Sequence, residues 1–523
     1  MEKKNAQPLA HAAAAATTTT QCPHHKVSSS LPSPSPSPSP SPTTTTTTTT
    51  KSFLSIPGPP TFDVEAFRLK NHHYITSLHE QYGDIIRVKS QDGGRKSMVY
   101  VRTPSTVKHV LMSETKFDKT FADADSNSST YLQYFKNLVQ PLLASADLFG
   151  SGDNSSRRQN LKKTFSASPE LLPAFQRAVN RSLSFWPQKM MEEIDLVPIM
   201  HHLVFNLVMV IMAGDDYVLE ESDRLFEACS ACLSYYQERY SQPLFDEQIS
   251  QQDEFWMHKV EVAGMELTKV LQDMYHKKDL GELAETSMIG VMQHFGMSDA
   301  EMNATMINAL FAACEAPVHI LVSSLIELSR YPNMQEELSR NITTMESGTE
   351  DDVDELYFGE SFLNDITMES LRSFAPVTLV QRCTIQDTIL EGYNVPAQTV
   401  IGICIAAVHS NEKYFLNSTT FNPYRKGLDM VVLNTGSGGF MPFSSGPRGC
   451  PGRYLASTIL KLSLARVVTK YRLTSRPNVG VVIGDDDRKK KKKLIYKFVE
   501  WPMNGAFVGL TPRLSSVVAT SKL

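Results

Sequence analysis

The sequence predicts one mainly α domain carrying small β-sheets, and three observations predict it. From about residue 160 to 340, apolar residues recur mostly at helical spacing. Strand-like alternation is confined to short stretches: "DIIRVKS" and "SMVYVR" early, "TIQDTILEGYNVPAQTVIGICI" late, and parts of the last 40 residues. Strands and helices do not alternate regularly, and no internal repeat, GxGxxG or P-loop pattern occurs. The net charge of −5 gives no overall basicity that would suit nucleic acid. Seven cysteines, at 22, 229, 232, 314, 383, 404 and 450, are odd in number and unpatterned, which argues for reduced thiols. The best apolar run, Leu203 to Ala213, is too short for a bilayer and carries Asn206, so no transmembrane anchor is expected.

Residues 1–52 are low in complexity, with "PSPSPSPSPSP" followed by eight threonines. They cannot bury enough apolar area to offset ordering entropy, and are read as a disordered segment. Their Ser/Thr/Ala-rich, acid-poor composition resembles an organelle transit peptide, plastid or other; the alternative is a tail with no address and a cytoplasmic enzyme. Residues 53–523 form the predicted domain. "IPGPP" (Ile56 to Pro60) is a stiff entry. A helix follows and stops at Gly83. Two strands pair across "QDGGRK", and a helix restarts with Thr103 as N-cap and Pro104 in its first turn. "CSAC" (Cys229 to Cys232) is a lone C-x-x-C in an apolar helical stretch, read as two partly buried thiols, and "CPHH" in the tail is given no metal role. "DDDRKKKKK", ending in Lys489 to Lys493, is read as a solvated loop.

One turn carries chemistry. In "PFSSGPRGCPGRYLA" (Pro442 to Ala456), Cys450 stands just ahead of a helix apolar on many sides, through Leu455, Ile459, Leu460, Leu462, Leu464 and Val467. Free N–H groups and the helix dipole favour a thiolate there. Gly446 and Gly452 allow a flat object close to the backbone. Arg448 offers a guanidinium to a carboxylate, and Phe443 can pack beside the sulfur. A thiolate, room for a planar ligand and a carboxylate clamp suit a haem iron.

Phe443, Gly446, Arg448, Cys450, Gly452, Leu455 and Ala456 match F-x-x-G-x-R-x-C-x-G and the Leu-Ala that often follows it. The stretch resembles the cysteine loop of the cytochrome P450 family. "ESLR" (Glu369 to Arg372) matches the family's E-x-x-R, and "FNPYR" (Phe421 to Arg425) its F-x-P-x-R. The resemblance spans about residues 53 to 513. It implies a P450-like haem domain holding haem b with Cys450 as axial thiolate, and a buried cluster of Glu369, Arg372 and Arg425. It implies haem-propionate contacts from Arg448, Arg382 and Arg158, although the tryptophan that usually accompanies the last is here Asn154.

The pattern breaks on the helix that should cross the haem. "AACEAP" (Ala312 to Pro317) keeps the acid, Glu315, but puts Ala316 where the family has threonine, and Pro317 after it. Alanine has no proton to give, and proline should kink the helix. The expected function is a monooxygenase inserting one oxygen atom from dioxygen into a small hydrophobic substrate. Glu315 is its remaining acid, and electrons come from a ferredoxin or flavin reductase. The alternatives are a hydroperoxide-rearranging or peroxide-using enzyme, and a haem protein that senses a ligand without turnover.

Overall fold

The structure is a computed structural model that describes residues 50–63, 66–67, 72–89, 97–118, 171–214, 222–231, 249–276, 287–428, 439–475 and 506–513. Thr50–Leu523 cluster as one unit. The tail reading, "CPHH", Arg158, Cys232 and the lysine run lie outside the described residues.

The helices are α1 (His72–Tyr82), α2 (Pro104–Met112), α3 (Leu172–Ser184), α4 (Leu196–Ala213), α5 (Ile249–Tyr275), α6 (Met288–His294), α7 (Asp299–Arg330), α8 (Pro332–Glu346), α9 (Glu350–Phe358), α10 (Phe362–Ser373), α11 (Ile405–His409) and α12 (Arg453–Lys470). Among the described residues, three small sheets accompany them. The largest orders its strands β1 (Ile85–Val88), β2 (Met98–Val101), β8 (Val400–Cys404), β5 (Leu379–Thr384) and β3 (Phe117–Asp118). A second sheet joins β4 (Met191–Asp195), β10 (Phe507–Pro512) and β9 (Tyr471–Thr474), and a hairpin pairs β6 (Thr388–Leu390) with β7 (Tyr393–Val395). The mainly α class is therefore observed.

Local chemistry explains the element ends. Gly83, at φ +102°, closes α1 with its N–H on the His79 carbonyl. The β1–β2 pair forms as the alternation predicts, with Ile85 opposite Val101. Thr103 is the N-cap of α2, but its side chain does not cap. Instead Thr103 and Thr106 both donate hydroxyl hydrogen bonds to Glu391, in the turn between β6 and β7. A carboxylate so placed meets the positive end of the helix dipole, so a distant residue takes over the cap.

The centre of the fold is α7. It opens with a capping box in which Glu301 accepts from the Ser298 backbone while Ser298 Oγ accepts from the Glu301 N–H. It packs against α4, α10 and α12, all three rich in buried residues. The helix continues through Pro317 as one element. The lost hydrogen bond costs about 3 kcal/mol or more in an exposed helix; here neighbours bury both flanks, and Cys314, Val318, Ile320 and Leu321 are almost wholly inside. Helix α4 is strongly apolar, with His201, His202 and Asn206 its polar side chains. Asp195 caps it from the end of β4, accepting from Val197 N–H (3.1 Å) and from Ala506 N–H (3.0 Å), which ties the helix to the second sheet. Helices α4 and α7 are long and apolar enough to cross a membrane, but 72% and 78% of their apolar windows are buried within the fold.

Candidate functional site

The cysteine loop is shaped by its own backbone and by two neighbours. Cys450 N–H donates to the Phe443 carbonyl (2.9 Å), and Gly449 N–H to that of Gly446 (2.9 Å). The turn needs left-handed backbone at Ser444 (φ +58°) and Gly446 (φ +77°). Gly446 has a second reason to be glycine: a Cβ there would lie 2.2 Å from the Leu111 carbonyl oxygen at the end of α2. The loop thus leans directly on α2. Gly452 is the N-cap of α12, whose Leu455, Ile459, Leu460, Leu462, Leu464 and Val467 are all buried, as the apolar pattern predicts. Cys450 itself is half-buried, two residues before that cap, and Phe443 is half-buried against the main core.

Behind the loop lies the predicted charge cluster. The Glu369 carboxylate is fully buried and takes a two-pronged contact from Arg372, at 2.8 Å from Nε and 2.7 Å from Nη2. Arg425 Nε donates to it at 3.2 Å and Asn422 N–H at 2.9 Å. One carboxylate faces two guanidinium groups, so the surplus N–H groups turn to carbonyls: Arg372 to His409 (3.0 Å), Arg425 to Leu416 (2.6 Å) and Asn417 (3.2 Å).

His409 joins this cluster to the cysteine loop, and sequence reasoning missed it. Its Nδ1 lies 3.2 Å from the Arg372 carbonyl, and its Nε2 accepts from Met441 N–H at 2.9 Å. One ring nitrogen must carry a hydrogen and the other must not, so the imidazole is neutral with the proton on Nδ1. Burial, with the Arg372 charge beside it, pulls its pKa down to about 3 against the pull of that carbonyl contact. The only hint in the chain is one polar ring in the apolar run "ICIAAVHS".

The predicted arginines are placed differently from one another. Arg448 pairs with Glu114, just beyond α2, at 3.4 Å. Arg382 is buried in β5 and donates to the Gln381 carbonyl at 2.8 Å. In the middle of α7, Ala312 is exposed while Phe311, Ala313 and Ala316 are half-buried, an open strip on an otherwise buried helix. Glu315 is buried beside that strip, and its Oε1 lies 3.8 Å from Nε2 of His201 on α4. Burial, and then the Glu315 charge, push the adjacent Cys314 thiol far above the ordinary range, so that thiol stays neutral.

A family model described as Cytochrome P450 matches residues 61–495. The chain belongs to the cytochrome P450 family. Among curated relatives, it is 25% identical over 213 residues to the mitochondrial cholesterol side-chain cleavage enzyme of Hypanus americanus, covering 40% of each chain. It is 22% identical over 415 residues to secologanin synthase 1 of Catharanthus roseus, covering 74% of this chain and 75% of that one. The matched segments span only 40%, 34% and 37% of three of these relatives: the cleavage enzyme, a mouse leukotriene-B4 omega-hydroxylase and a rat thromboxane-A synthase. Among solved structures, the haem domain of cytochrome P450DA aligns with a TM-score of 0.69 at 16% identity, over 88% of this chain and 97% of that one. A cyanobacterial P450 solved with retinoic acid aligns at 0.67 and 19%, over 88% of this chain and all of the other. The P450 fold is thus shared.

The family implies a haem with a cysteine thiolate as axial ligand. The residues present fit that group: a half-buried cysteine after a tight turn, arginines on neighbouring elements, and an open strip of small side chains on a core helix.

Proposed function

We propose that this P450 is a monooxygenase that inserts one atom of dioxygen into a small hydrophobic substrate, taking electrons from a separate donor, either a ferredoxin or a flavin reductase. The observation that carries the reading is Glu315: a buried acid beside the open Ala312–Ala316 strip, which supplies an ionisable group where the threonine hydroxyl is missing. Cys450 would supply the thiolate that holds the haem iron, with Phe443 beside it and Gly446 shaping the loop. Arg448, Arg382 and Arg158 would hold the haem propionates. Haem, when bound, supplies one-electron chemistry on dioxygen through its thiolate-ligated iron. The protein's share is to hold the thiolate, keep water from the apolar strip and bring protons. The overall balance is RH + O2 + 2H+ + 2e− giving ROH and water, so two protons must reach the site for each turnover. An acid-poor N-terminal segment and a mitochondrial relative support delivery to an organelle.

Hydroperoxide rearrangement is the second reading, favoured by Ala316, since that chemistry needs no proton relay to dioxygen. The test compares two conditions. Ferric protein without air or reductant is given a fatty-acid hydroperoxide; the same protein in air is given a ferredoxin, its reductase and NADPH. Reductant-dependent oxygen consumption with little anaerobic loss of hydroperoxide is expected. Rapid anaerobic loss of hydroperoxide, with no oxygen consumption in the second arm, would overturn the monooxygenase reading.

A further inference from the structure

Position 316 lacks the hydroxyl, yet the turn around it is not empty of proton chemistry. Glu315 points away from the Ala312–Ala316 strip far enough to lie 3.8 Å from His201. That separation is within ion-pair range but beyond a hydrogen bond, so the imidazole does not clamp the carboxylate. His201 stands in the second turn of α4, and α4 packs closely on α7. The two side chains differ in exposure: 11% for Glu315 and 19% for His201. The imidazole is thus the more exposed member of the pair. Among the described residues, the neighbouring titratable groups include Cys314, whose thiol is kept neutral by burial and the Glu315 charge, His319, buried one turn beyond Glu315, and His202, which turns instead to Asp223 at 3.6 Å.

We propose that His201 recharges Glu315 with protons from solvent, so that the His201–Glu315 pair does the work of the missing hydroxyl. The inference rests on the monooxygenase reading above. His201 acts through Glu315, as a positioning residue for the acid. In each transfer a solvent proton binds the imidazole, the imidazolium gives a proton to the Glu315 carboxylate through one bridging water or a side-chain rotation that closes the 3.8 Å gap, and the resulting carboxylic acid delivers it on the Ala316 side. Electrons come from the ferredoxin or flavin reductase, and two such transfers complete the balance given above. Imidazole suits the outer position because its ordinary pKa lets it both take and give a proton near neutrality. A carboxyl suits the inner one because a small rotation moves its proton from one face of the helix to the next.

Two measurements test the pair. In the ferric holoprotein, the His201 ring resonance is followed by NMR through a pH titration, in wild type and in Glu315→Gln. A carboxylate beside an imidazole favours the charged ring, so removing its charge should lower the His201 titration midpoint; an unmoved midpoint would break the pair. In the second, oxygen consumption driven by ferredoxin, its reductase and NADPH is compared in wild type and His201→Gln, with the ferrous-CO spectrum confirming that each holds haem. His201→Gln is expected to slow oxygen reduction about 100-fold, the lower end for a positioned proton donor. Dye oxidation driven by hydrogen peroxide, which brings its own protons, should change less than about twofold. If His201→Gln does not hold haem, His201→Asn carries the same comparison. Wild type that consumes no oxygen overturns the monooxygenase reading and the relay with it. Wild type that consumes oxygen, with a His201 variant matching its rate, overturns the relay alone.

Discussion

Replacing Glu369 with glutamine removes one charge and almost no volume. The carboxylate accepts from Arg372 twice, from Arg425 and from Asn422 N–H, and it is wholly buried. Glutamine keeps one acceptor oxygen but turns an NH2 donor towards N–H donors. Arg372, only 2% exposed, is then left as a buried cation whose remaining partners are carbonyls and the Ser373 hydroxyl. Arg425 suffers less, since three backbone carbonyls still accept from it. Breaking one side of a buried pair costs about 3–5 kcal/mol, mostly for the uncompensated charge. That is a large part of the ~5–15 kcal/mol that holds a typical domain together. The assay is the thermal midpoint of the holoprotein together with haem bound per chain; both should fall clearly in Glu369→Gln. A second comparison isolates the charge. Glu369→Leu with Arg372→Met removes the more deeply buried cation along with the carboxylate, and should recover at least half of what Glu369→Leu alone loses, because Arg372 is no longer stranded and Arg425 keeps its three backbone carbonyls. A double variant as unstable as the two single losses added together would refute the stranded-charge account.

Gly446→Ala should lose haem-loaded protein, because its Cβ would lie 2.2 Å from the Leu111 carbonyl and its φ is +77°. Overpacking and left-handed strain together put the cost at about 2–5 kcal/mol, and an unchanged thermal midpoint with a normal ferrous-CO spectrum would count against the fit described. Folding stability should be level above about pH 6.5 and fall as pH drops towards 3, because His409 refuses a proton that the unfolded chain accepts from about 6.5 downwards. The difference from 6.5 to about 3 amounts to ~5 kcal/mol, and His79, lowered to about 4, acts in the same direction. Urea midpoints measured against pH should show a shallower acid slope in His409→Gln; a slope equal to wild type would remove His409 from the acid response.

What could be read from the chain followed the range of the forces involved. The class, the β1–β2 pair and the buried α12 helix rest on periodicity and turn residues, which are local. Glu369, Arg372 and Arg425 were legible because a helix puts residues three apart on one face and a motif fixes the third member. The cap of α2 was only half legible. Thr103 and Pro104 mark its start, but the acceptor for the threonine hydroxyls comes from Glu391, nearly 300 residues away (|i−j| = 288). His409 and His201 left no such mark. Each is a single ring whose importance depends on what another element sets against it: the Met441 N–H for one, the Glu315 carboxylate for the other. Pro317 was read locally too: it lies within α7, which runs through it as one element packed on three helices.

The two sides of the site are built on different physical terms. On the cysteine side, backbone groups do the holding: Met441 N–H on His409, Cys450 N–H on Phe443, and Gly446 against Leu111. A change in any of these alters the main chain, and the loop with it. On the α7 side, side chains on a continuous helix do the work. Successive residues are turned by about 100°, so Ala312 and Ala316 share one face, while Glu315 and His319, also four apart, share the next. The first face is small and open; the second is buried, with Glu315 turned to His201 on α4. Position 316 can therefore lose a hydroxyl without disturbing the packing that holds Glu315. A thiolate site needs one unchanging shape, and backbone bonds provide it. Under the relay proposed above, proton supply needs only a path of titratable groups, so it moves from one helix face to the next while the fold stays as it is.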